Sequence, residues 1–354
     1  MTKDGSKKLV LVTGASGFVA KHTIDRLLRE GYKVRGTVRN EEEAKIANQA
    51  FTQALPSSLF SEETFSLVTA DLMSDSGWKE AVQGCDYVIH IASPYPLKPP
   101  QDRHALVPVA RDGSLRVVRA ALEEPTVERI VLTSSVVAMA YWRDFPKPER
   151  HITEDCWTDP TWDQVTAYPV SKTMAEKAVW DLVEKQEGAK DKLVVVNPMM
   201  VWGPMYDSVI STSSEIGYLF LTGAYPAVPQ MSLTIVDVRD VAQLMERALV
   251  APNVTGRRLI AASSGSLSML DIGRTLGKAF PKYANKVPRY TLPNWLIRLG
   301  AYFDPALKLG LIDLGCRYEA DSTYVTELTG VTFRPASEAI QAMGQSLIDK
   351  GIVN

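Results

Sequence analysis

Lys8-Leu9-Val10-Leu11-Val12-Thr13-Gly14-Ala15-Ser16-Gly17-Phe18-Val19-Ala20 is the most informative segment of this chain for its fold. Its first six residues form a short apolar run, typical of a strand buried on both faces of a parallel sheet. Apolar residues then recur at helical spacing up to Glu30. Gly14, Gly17 and Ala20 leave the backbone bare, so a phosphate group can approach the N–H groups and the positive end of the helix dipole. The segment predicts a strand, a phosphate-binding turn and a helix; the alternative is an ordinary glycine-rich turn.

Strands and helices alternate in the rest of the first half of the chain. Short apolar runs predict strands at residues 32–38, 64–69, 86–92, 129–134 and 193–197. Helical patterns lie between them at residues 41–54, 77–83, 107–122 and 171–187. This order predicts an α/β fold with a Rossmann-type, doubly wound parallel sheet.

The second half of the chain has a looser pattern. Glycine and proline loops follow Met199, and residues 233–249 form one more strand–helix unit, which we assign to the main sheet. We predict a nucleotide-binding domain of residues 1–198 plus about 233–262. Residues 199–232 plus 263–354 then form a smaller, mainly helical substrate-binding lobe at the C-terminal end. The apolar stretch at residues 295–314 contains four charges, so we interpret it as a buried or pocket-lining helix pair and not as a membrane span.

The composition excludes several classes of protein. The 354 residues carry 39 Lys and Arg against 41 Asp and Glu, a net charge of -2, so neither nucleic acid nor a membrane surface is an expected partner. The three cysteines and four histidines have no disulfide or metal-site spacing. We therefore predict no metal, a small-molecule substrate and a cytoplasmic location, with the cysteines reduced.

The end of the second strand predicts which nucleotide binds. No acid stands there to accept a hydrogen bond from a ribose hydroxyl, as one usually does in NAD-binding folds. Arg39 stands there instead, and its planar cation suits a 2′-phosphate, with Lys45 as a second positive charge. We therefore predict NADP(H). Arg39 could alternatively be a solvated loop cation, and residues 41–43 are glutamates that would weaken phosphate binding if they faced it.

Two further strand ends can reach the same ligand, since ligands of such sheets bind at the carboxyl ends of the strands. Asp71 and Leu72 end the third strand, where the carboxylate can accept a hydrogen bond from the adenine amino group; the alternative is a helix cap. Ala92 and Ser93 end the fourth strand and are small enough for close approach to a pyrophosphate; the alternative is simple packing.

Tyr168-Pro169-Val170-Ser171-Lys172 is the strongest catalytic signal. Tyr168 and Lys172 are spaced i, i+4 and project from one face of a helix, and Pro169 suits its first turn. A phenol can protonate an alkoxide if a neighbouring ammonium favours its ionised form. The strand before this helix ends in Thr133-Ser134-Ser135, which supplies a hydroxyl to polarise a carbonyl group. The alternative is an amphipathic helix with a solvated lysine.

These motifs together resemble the extended branch of the short-chain dehydrogenase/reductase superfamily. The likeness is greatest to dihydroflavonol 4-reductases, cinnamoyl-CoA reductases and related fungal and bacterial aldehyde/ketone reductases, and it covers nearly the whole chain. The segments that carry it are residues 13–20, 36–39, 90–94, 131–135, 168–172, 196–198, 236–242 and 328–335.

The resemblance implies roles for individual residues. Ser135, in preference to Ser134, forms the catalytic set with Tyr168 and Lys172, and Lys172 also binds the nicotinamide ribose. The full set of expected cofactor-binding residues is Gly14, Ser16, Gly17, Phe18, Val19, Arg39, Lys45, Asp71, Leu72, Ala92, Ser93, Thr133, Lys172, Pro198 and Val201.

The substrate is predicted only by class. Candidate walls of the pocket are Pro94, Tyr95, Tyr141, Trp142, Met200, Trp202, Met205 and Tyr206, of which about half are expected to be core residues instead. Aromatic and Met side chains favour an apolar or aromatic carbonyl compound. The chain departs from the family at Tyr141-Trp142 and Met199-Met200, and it lacks an Asn-Trp-Tyr-Cys-type signature of cinnamoyl-CoA reductases.

The predicted activity is NADPH-dependent reduction of an aldehyde or ketone to an alcohol. An NAD-retaining nucleotide-sugar epimerase or dehydratase is the alternative enzyme, and Arg39 argues against it. A protein that senses NADP(H) without turnover is the third hypothesis, and the intact Ser, Tyr and Lys set argues against that. Family likeness permits a monomer or a homodimer.

Overall fold

The computed structural model describes residues 7–94, 100–144, 148–303, 307 and 310–354. Its strands are, in chain order, β1 (Leu9–Val12), β2 (Lys33–Val38), β3 (Phe65–Thr69), β4 (Tyr87–His90), β5 (Arg129–Thr133), β6 (Glu149–Ile152), β7 (Leu193–Pro198), β8 (Met200–Trp202), β9 (Ala227–Pro229), β10 (Ser232–Leu233), β11 (Ile235–Asp237), β12 (Arg258–Ala261), β13 (Leu267–Ser268), β14 (Tyr290–Leu292) and β15 (Arg317–Ala320).

The described α-helices are α1 (Phe18–Arg29), α2 (Glu41–Ala54), α3 (Trp78–Val82), α4 (Gly113–Glu123), α5 (Ala167–Glu184), α6 (Thr212–Thr222), α7 (Val238–Val250), α8 (Met269–Ala279), α9 (Asn294–Gly300), α10 (Thr323–Thr329) and α11 (Ala336–Asp349). A π-helical turn, Pro108–Asp112, leads into α4. α5 begins four residues before the expected start, because proline is tolerated in the first turn of a helix, where its missing N–H has no intrahelical partner. None of the described helices is long and apolar enough to cross a membrane.

Seven parallel strands form the central sheet in the order β12-β7-β5-β4-β1-β2-β3. The chain runs outward in one direction from β1 to β3 and then returns to β4 on the other side of β1. The order therefore reverses between β1 and β4, and a crevice for a ligand opens where their carboxyl ends diverge. The fold prediction is confirmed.

The alternating side chains of the buried strands separate into two apolar layers. Val10 and Val12 of β1 pack on the layer that contains α1 and α7. Leu11, between them, packs on the opposite layer with α3, α4 and α5. Because both faces are covered, the central strands carry continuous apolar sequences, which is why residues 8–13 could be recognised as a strand.

A third apolar cluster lies beyond the carboxyl ends of the strands. It joins α6, α8 and α11 to β8, and its fully buried members include Trp202, Phe220 and Ile272. Four two-stranded pairs, β6–β15, β8–β11, β9–β14 and β10–β13, complete this part of the molecule. The domain boundaries themselves stay a prediction.

One expectation about the second half is wrong, and another is wrong in part. The strand of the 233–249 unit, β11, pairs with β8 and not with the main sheet, whose outer strand is instead β12. In the 295–314 stretch, predicted to be a buried or pocket-lining helix pair, the described residues Trp295, Tyr302 and Phe303 are strongly exposed and Ile297 is the buried residue of α9, so the first half of the stretch is not buried. Of its described residues, Asp313 lines the cleft described below. Strand pairing and helix docking depend on distant segments, which a local pattern does not reveal.

Candidate active site

A cleft of about 1230 Å³ opens at the carboxyl ends of the central strands. Most of the residues predicted to bind cofactor line it, although they come from seven separate segments of the chain. The predicted catalytic and cofactor-binding residues that line the cleft are Gly14, Ser16, Gly17, Phe18, Val19, Arg39, Asp71, Leu72, Ala92, Ser93, Thr133, Ser135, Tyr168, Lys172, Pro198 and Val201.

The turn after β1 has the form that a dinucleotide requires. Gly14 has a φ of +72°, and a Cβ atom at this position would lie 3.1 Å from the Cβ atom of Ala92, so only glycine allows the two strand ends to approach this closely. The Gly17 N–H donates to the Gly14 carbonyl oxygen at 2.9 Å, which closes the turn. Backbone N–H groups of residues 14–17, just before the N-terminus of α1, therefore border the cleft. This arrangement fits a pyrophosphate group.

Two threonine hydroxyls hold this turn against its neighbours. The Thr13 hydroxyl accepts hydrogen bonds from the N–H groups of Ile91 and Ala92, each at 2.9 Å. The Gly14 N–H donates to the Thr37 hydroxyl at 3.1 Å, which connects β1 to the end of β2. The phosphate turn is therefore fixed by contacts that the glycine pattern alone does not include.

Arg39 lies directly after β2 and lines the cleft. Its guanidinium forms an ion pair with Glu43. Its Nε donates to Glu43 Oε1 at 2.8 Å, and its backbone N–H donates to Glu43 Oε2 at 3.0 Å. The Arg39 guanidinium lowers the pKa of Glu43 against the opposing effect of burial. Lys45 is exposed and is not one of the described residues that line the cleft, so the expectation that it contacts the cofactor is not supported by its position.

The three predicted catalytic side chains reach one cleft from β5 and α5. Ser135 caps the short turn Val136–Ala138, and its hydroxyl oxygen accepts from the Val137 N–H at 3.4 Å. Tyr168 is half-buried in the first turn of α5, and Lys172 follows one turn later with 7% of its surface exposed. The Lys172 ammonium donates to the Thr133 carbonyl oxygen at 3.1 Å, which ties the helix to the end of β5.

The pKa of the Lys172 ammonium depends on its surroundings because the group is buried. Burial lowers the pKa of Lys172 to about 8, and the Glu176 carboxylate one turn later acts in the opposite direction. Burial and the Lys172 charge lower the pKa of His90 to about 3, so His90 is neutral near pH 7. Its two ring nitrogens lie 2.8 Å from the Thr13 hydroxyl and 3.2 Å from the Ser114 hydroxyl. His90 is therefore a packed core residue, as predicted.

Glu176 is the centre of a buried polar network that the sequence reading missed. Its carboxylate accepts from the Ser134 hydroxyl and from Asn197 Nδ2, the latter at 3.0 Å. It also accepts from Arg258 Nε at 2.6 Å. The Asn197 amide donates to the Ser135 carbonyl oxygen at 3.2 Å as well. Ser134 also lines the cleft, but its hydroxyl is engaged by Glu176, which agrees with the preference for Ser135 as the reacting hydroxyl.

The expected substrate residues divide into two groups. Pro94, Tyr141 and Met200 line the cleft, whereas Tyr95 lies outside the described residues. The remaining expected residues are not among the described lining residues: Trp142, Trp202, Met205 and Tyr206.

The aromatic residues outside the cleft have other partners, which corrects those expectations. Trp202 is fully buried in the apolar cluster of the second lobe. Tyr206 packs edge-on against His22, with ring centroids 4.6 Å apart, and donates to Asp25 at 2.6 Å. Large aromatic side chains bury much apolar area, so packing competes with pocket lining for them.

The cleft also contains residues that no sequence motif indicated. Met231, Leu233, Met269, Asp313 and Tyr318 line it from the second half of the chain. Leu233 and Tyr318 are in short strands, Met231 and Asp313 lie outside the strands and α-helices, and Met269 is the first residue of α8. None of them has a local signal in the sequence. Only the docking of the second lobe against the sheet brings them to the cleft.

Glu149, His151 and Glu319 form a surface group whose ligand atoms all lie within 4.8 Å of one another. β6 and β15 are paired, so Glu319 lies opposite His151 although they are far apart in sequence. These side chains are solvent-exposed, and such exposed acidic groups are common without an ion. We assign no metal to them.

Comparison with known proteins identifies the family of this chain. The family model described as NAD dependent epimerase/dehydratase family matches residues 10–259. The chain is 36% identical over 280 residues to cinnamoyl-CoA reductase 1 of Petunia hybrida, covering 78% of this chain and 79% of that protein. It is 33% identical over 306 residues to a putative NADPH-dependent methylglyoxal reductase of Candida albicans, covering 80% and 86%.

Solved structures agree with the fold. The yeast methylglyoxal/isovaleraldehyde reductase Gre2, determined with NADPH, has a TM-score of 0.78 and 26% identity, with 97% of this chain and 99% of that chain covered. The crystal structure of vestitone reductase from alfalfa has a TM-score of 0.72 at 22% identity and supports the fold alone. The chain therefore belongs to the NAD dependent epimerase/dehydratase family, and it is an oxidoreductase of the extended short-chain dehydrogenase/reductase type.

Proposed function

We propose that this protein reduces an aldehyde or ketone to an alcohol, with NADPH as its cofactor and Ser135, Tyr168 and Lys172 as its catalytic residues. One observation carries the proposal: these three side chains line the same cleft as the glycine turn after β1. NADP(H) is the cofactor of this chain, in agreement with the relatives that are named for NADPH. When bound, NADPH supplies the hydride.

The side chains of the protein supply the proton and hold the carbonyl group. The Ser135 hydroxyl donates a hydrogen bond to the carbonyl oxygen, and the Tyr168 hydroxyl gives its proton to that oxygen. A free phenol has a pKa of about 10, so proton transfer near neutral pH needs a shift of roughly 3 units, or about 4 kcal/mol. An ammonium near a phenol favours its ionised form, and we assign this role to Lys172, one helical turn after Tyr168 on α5.

The walls of the cleft indicate the substrate class. Met200, Met231 and Met269 present flexible apolar surface, and Ile216 and Leu233 add branched side chains. Such a wall excludes water and binds apolar or aromatic groups through burial. We therefore propose an apolar or aromatic carbonyl compound as the substrate.

The experiment measures NADPH and NADH oxidation against a panel of aliphatic, aromatic and α-dicarbonyl substrates. We expect turnover with NADPH, abolished in Tyr168→Phe while that variant still binds the cofactor. Ser134→Ala is the matched control for Ser135→Ala, because Ser134 is the neighbouring serine of the same cleft and its hydroxyl donates to Glu176. Loss of turnover only in Ser135→Ala would support the assigned serine.

Two outcomes would reject the proposal. One is the absence of turnover with every carbonyl compound, together with NAD retained tightly by the purified protein, which would favour an epimerase or dehydratase. The other is undiminished turnover in Tyr168→Phe, which would remove the proposed proton donor.

A further inference from the structure

The Glu176 carboxylate lies where three segments of the candidate active site meet. Glu176 is on α5, one helical turn after Lys172, and only 1% of its surface is exposed. Ser134, directly after β5, and Asn197, on β7, both donate to Glu176 Oε2. A buried charge is therefore placed between helix α5 and the strand end that carries Ser135.

Arg258 balances this charge from the outer strand β12. Its Nε donates to Glu176 Oε1 at 2.6 Å, and its Nη1 donates to the Glu154 carbonyl oxygen at 3.0 Å. The guanidinium carbon lies 3.9 Å from the ring centroid of Trp157, which covers one face of the cation. Burying two charges costs solvation energy, which is regained only where the geometry is good and further hydrogen bonds are made. Both members of this pair have such partners, so the pair can hold the carboxylate in one orientation.

Asn197 connects the carboxylate to the backbone of Ser135. Its Nδ2 donates to Glu176 Oε2 at 3.0 Å and to the Ser135 carbonyl oxygen at 3.2 Å. An amide nitrogen carries two hydrogens, and these two acceptors use both of them. The Asn197 side chain is fully buried, so bulk water does not compete for either bond. The orientation of the Asn197 amide, and with it the position of the Ser135 carbonyl group, thus depends on Glu176.

The backbone at Ser135 is held from two directions. The Ser134 N–H donates to the Val196 carbonyl oxygen at 2.8 Å, and Asn197 holds the next carbonyl group along the chain, that of Ser135. Ser135 has an extended backbone, with φ of -162° and ψ of 154°, and it lines the cleft. A hydrogen bond weakens steeply with angle, so a small rotation of this backbone would remove the Ser135 hydroxyl from the geometry that a substrate carbonyl group needs.

We propose that Glu176 and Asn197 are positioning residues for the reduction. Glu176 orients the Asn197 amide, and Asn197 holds the Ser135 backbone so that the Ser135 hydroxyl faces the substrate carbonyl group. Neither residue is one of the described residues that line the cleft, so both act through Ser135 and not on the substrate. This inference rests on the proposed function, since it concerns the same serine.

A double-mutant cycle between Asn197 and Ser135 tests whether one residue acts through the other. Turnover is measured at about pH 6, where Lys172, with a pKa of about 8, keeps its charge. Asn197→Leu removes the amide at similar volume, and we expect kcat to fall about 10- to 100-fold, because a misplaced hydroxyl no longer stabilises the transition state. The Kd for NADPH, measured by fluorescence titration, should stay within about twofold.

The Ser135→Ala background gives the decisive comparison. There, Asn197→Leu should change kcat by less than about twofold, because the hydroxyl that Asn197 positions is already absent. Full additivity of the two losses would overturn the proposal, since it would show that Asn197 acts independently of Ser135. If Asn197→Leu fails to fold, Glu176→Gln carries the same cycle.

Glu176→Gln has nearly the same shape but replaces one acceptor oxygen with a donor, which cannot accept from Asn197 or Arg258. We expect kcat to fall about tenfold at the same pH. Glu246→Gln is the matched control, because Glu246 is also a buried carboxylate, is paired with Arg26 at 3.4 Å and is not one of the described lining residues. An equal fall of kcat in Glu246→Gln would overturn the proposal, since general destabilisation would then explain both losses.

The pH profile of kcat separates the role of Asn197 from an effect on Lys172. Asn197→Leu removes no charge, so the midpoint of the profile should stay at its wild-type value. A shift of that midpoint in Asn197→Leu would show that the residue acts through Lys172 and would overturn the assignment to Ser135. Absence of turnover by wild type with every carbonyl compound would instead reject the proposed function, so the two failures are distinguishable.

Discussion

Replacing Glu43 with Gln is expected to tighten NADPH binding, because Glu43 competes with the 2′-phosphate for Arg39. The Arg39 side chain is 67% exposed, and three groups of this residue, the backbone N–H, Nε and Nη2, donate to Glu43. A 2′-phosphate that binds Arg39 must displace this carboxylate or share the guanidinium with it. Arg39→Ala is expected to have the opposite effect, because it removes the phosphate ligand itself.

The magnitudes follow from the exposure of the pair. An exposed ion pair contributes only about 0–1 kcal/mol, and a carboxylate about 5 Å from a phosphate adds a repulsion of roughly 1 kcal/mol in water. Glu43→Gln should therefore lower the Kd for NADPH by about fivefold, which corresponds to about 1 kcal/mol. Arg39→Ala should raise it by about 10- to 100-fold, since a hydrogen bond between charged groups contributes about 1.5–3 kcal/mol.

Fluorescence titration of NADPH and NADH at two salt concentrations would test this reasoning. NADH lacks the 2′-phosphate, so its Kd should change little in Arg39→Ala. Lys45→Ala removes a nearby exposed cation, and Glu42→Gln removes a neighbouring exposed acid; neither residue is among the described lining residues, so both should leave the Kd within about twofold. An equal loss of NADH and NADPH binding in Arg39→Ala, or weaker NADPH binding in Glu43→Gln, would refute the role assigned to this pair.

Three further changes test other parts of the molecule. Lys172, whose pKa is about 8, loses its charge as the pH rises through that value, so kcat should fall there. Glu176→Gln removes a charge that favours the ammonium, so the midpoint of this fall in the pH profile of kcat should move to lower pH, by about one unit if that interaction amounts to about 1.4 kcal/mol; an upward shift would contradict the network. Gly14→Ala should abolish cofactor binding in titrations, because a Cβ atom would lie 3.1 Å from the Ala92 side chain at a φ of +72°; retained binding would show that the turn can adjust. Phe220→Ala should lower the free energy of unfolding by about 3–5 kcal/mol in chemical denaturation, since Phe220 is fully buried in the second lobe; a loss below about 1 kcal/mol would show that this lobe packs loosely.

Features that depend on local spacing could be predicted from the sequence. The turn at Gly14 and the i, i+4 pair of Tyr168 and Lys172 each occupy one short segment, so their geometry follows from strand and helix periodicity. The position of Arg39 at a strand end could be predicted. Its ion pair with Glu43 could not, because the sequence showed only that the glutamates at residues 41–43 would weaken phosphate binding if they faced the phosphate. The orientation of the Glu43 side chain, which settles that question, is set by the first turn of α2.

Features that depend on docking could not be predicted in this way. Aromatic residues illustrate the limit: Tyr141 lines the cleft, while Trp202 is buried in the second lobe, although both are large side chains near predicted catalytic segments. Arg258 donates to Glu176, which is 82 residues away in the sequence. Arg258 is on β12, and no local pattern indicated that β12 pairs with β7.

The sequence by itself determined the parallel sheet, the glycine turn after β1, the helix that carries Tyr168 and Lys172, and the class of cofactor. These properties arise from backbone periodicity and from the size and charge of residues that are neighbours along the chain. The tertiary structure alone decided the outer strand of the sheet, the buried Glu176 network and the meeting of Tyr141, Asp313 and Tyr318 in the cleft. Those contacts join segments up to about 180 residues apart, and their formation depends on the shape and burial of the whole core, which no local pattern encodes.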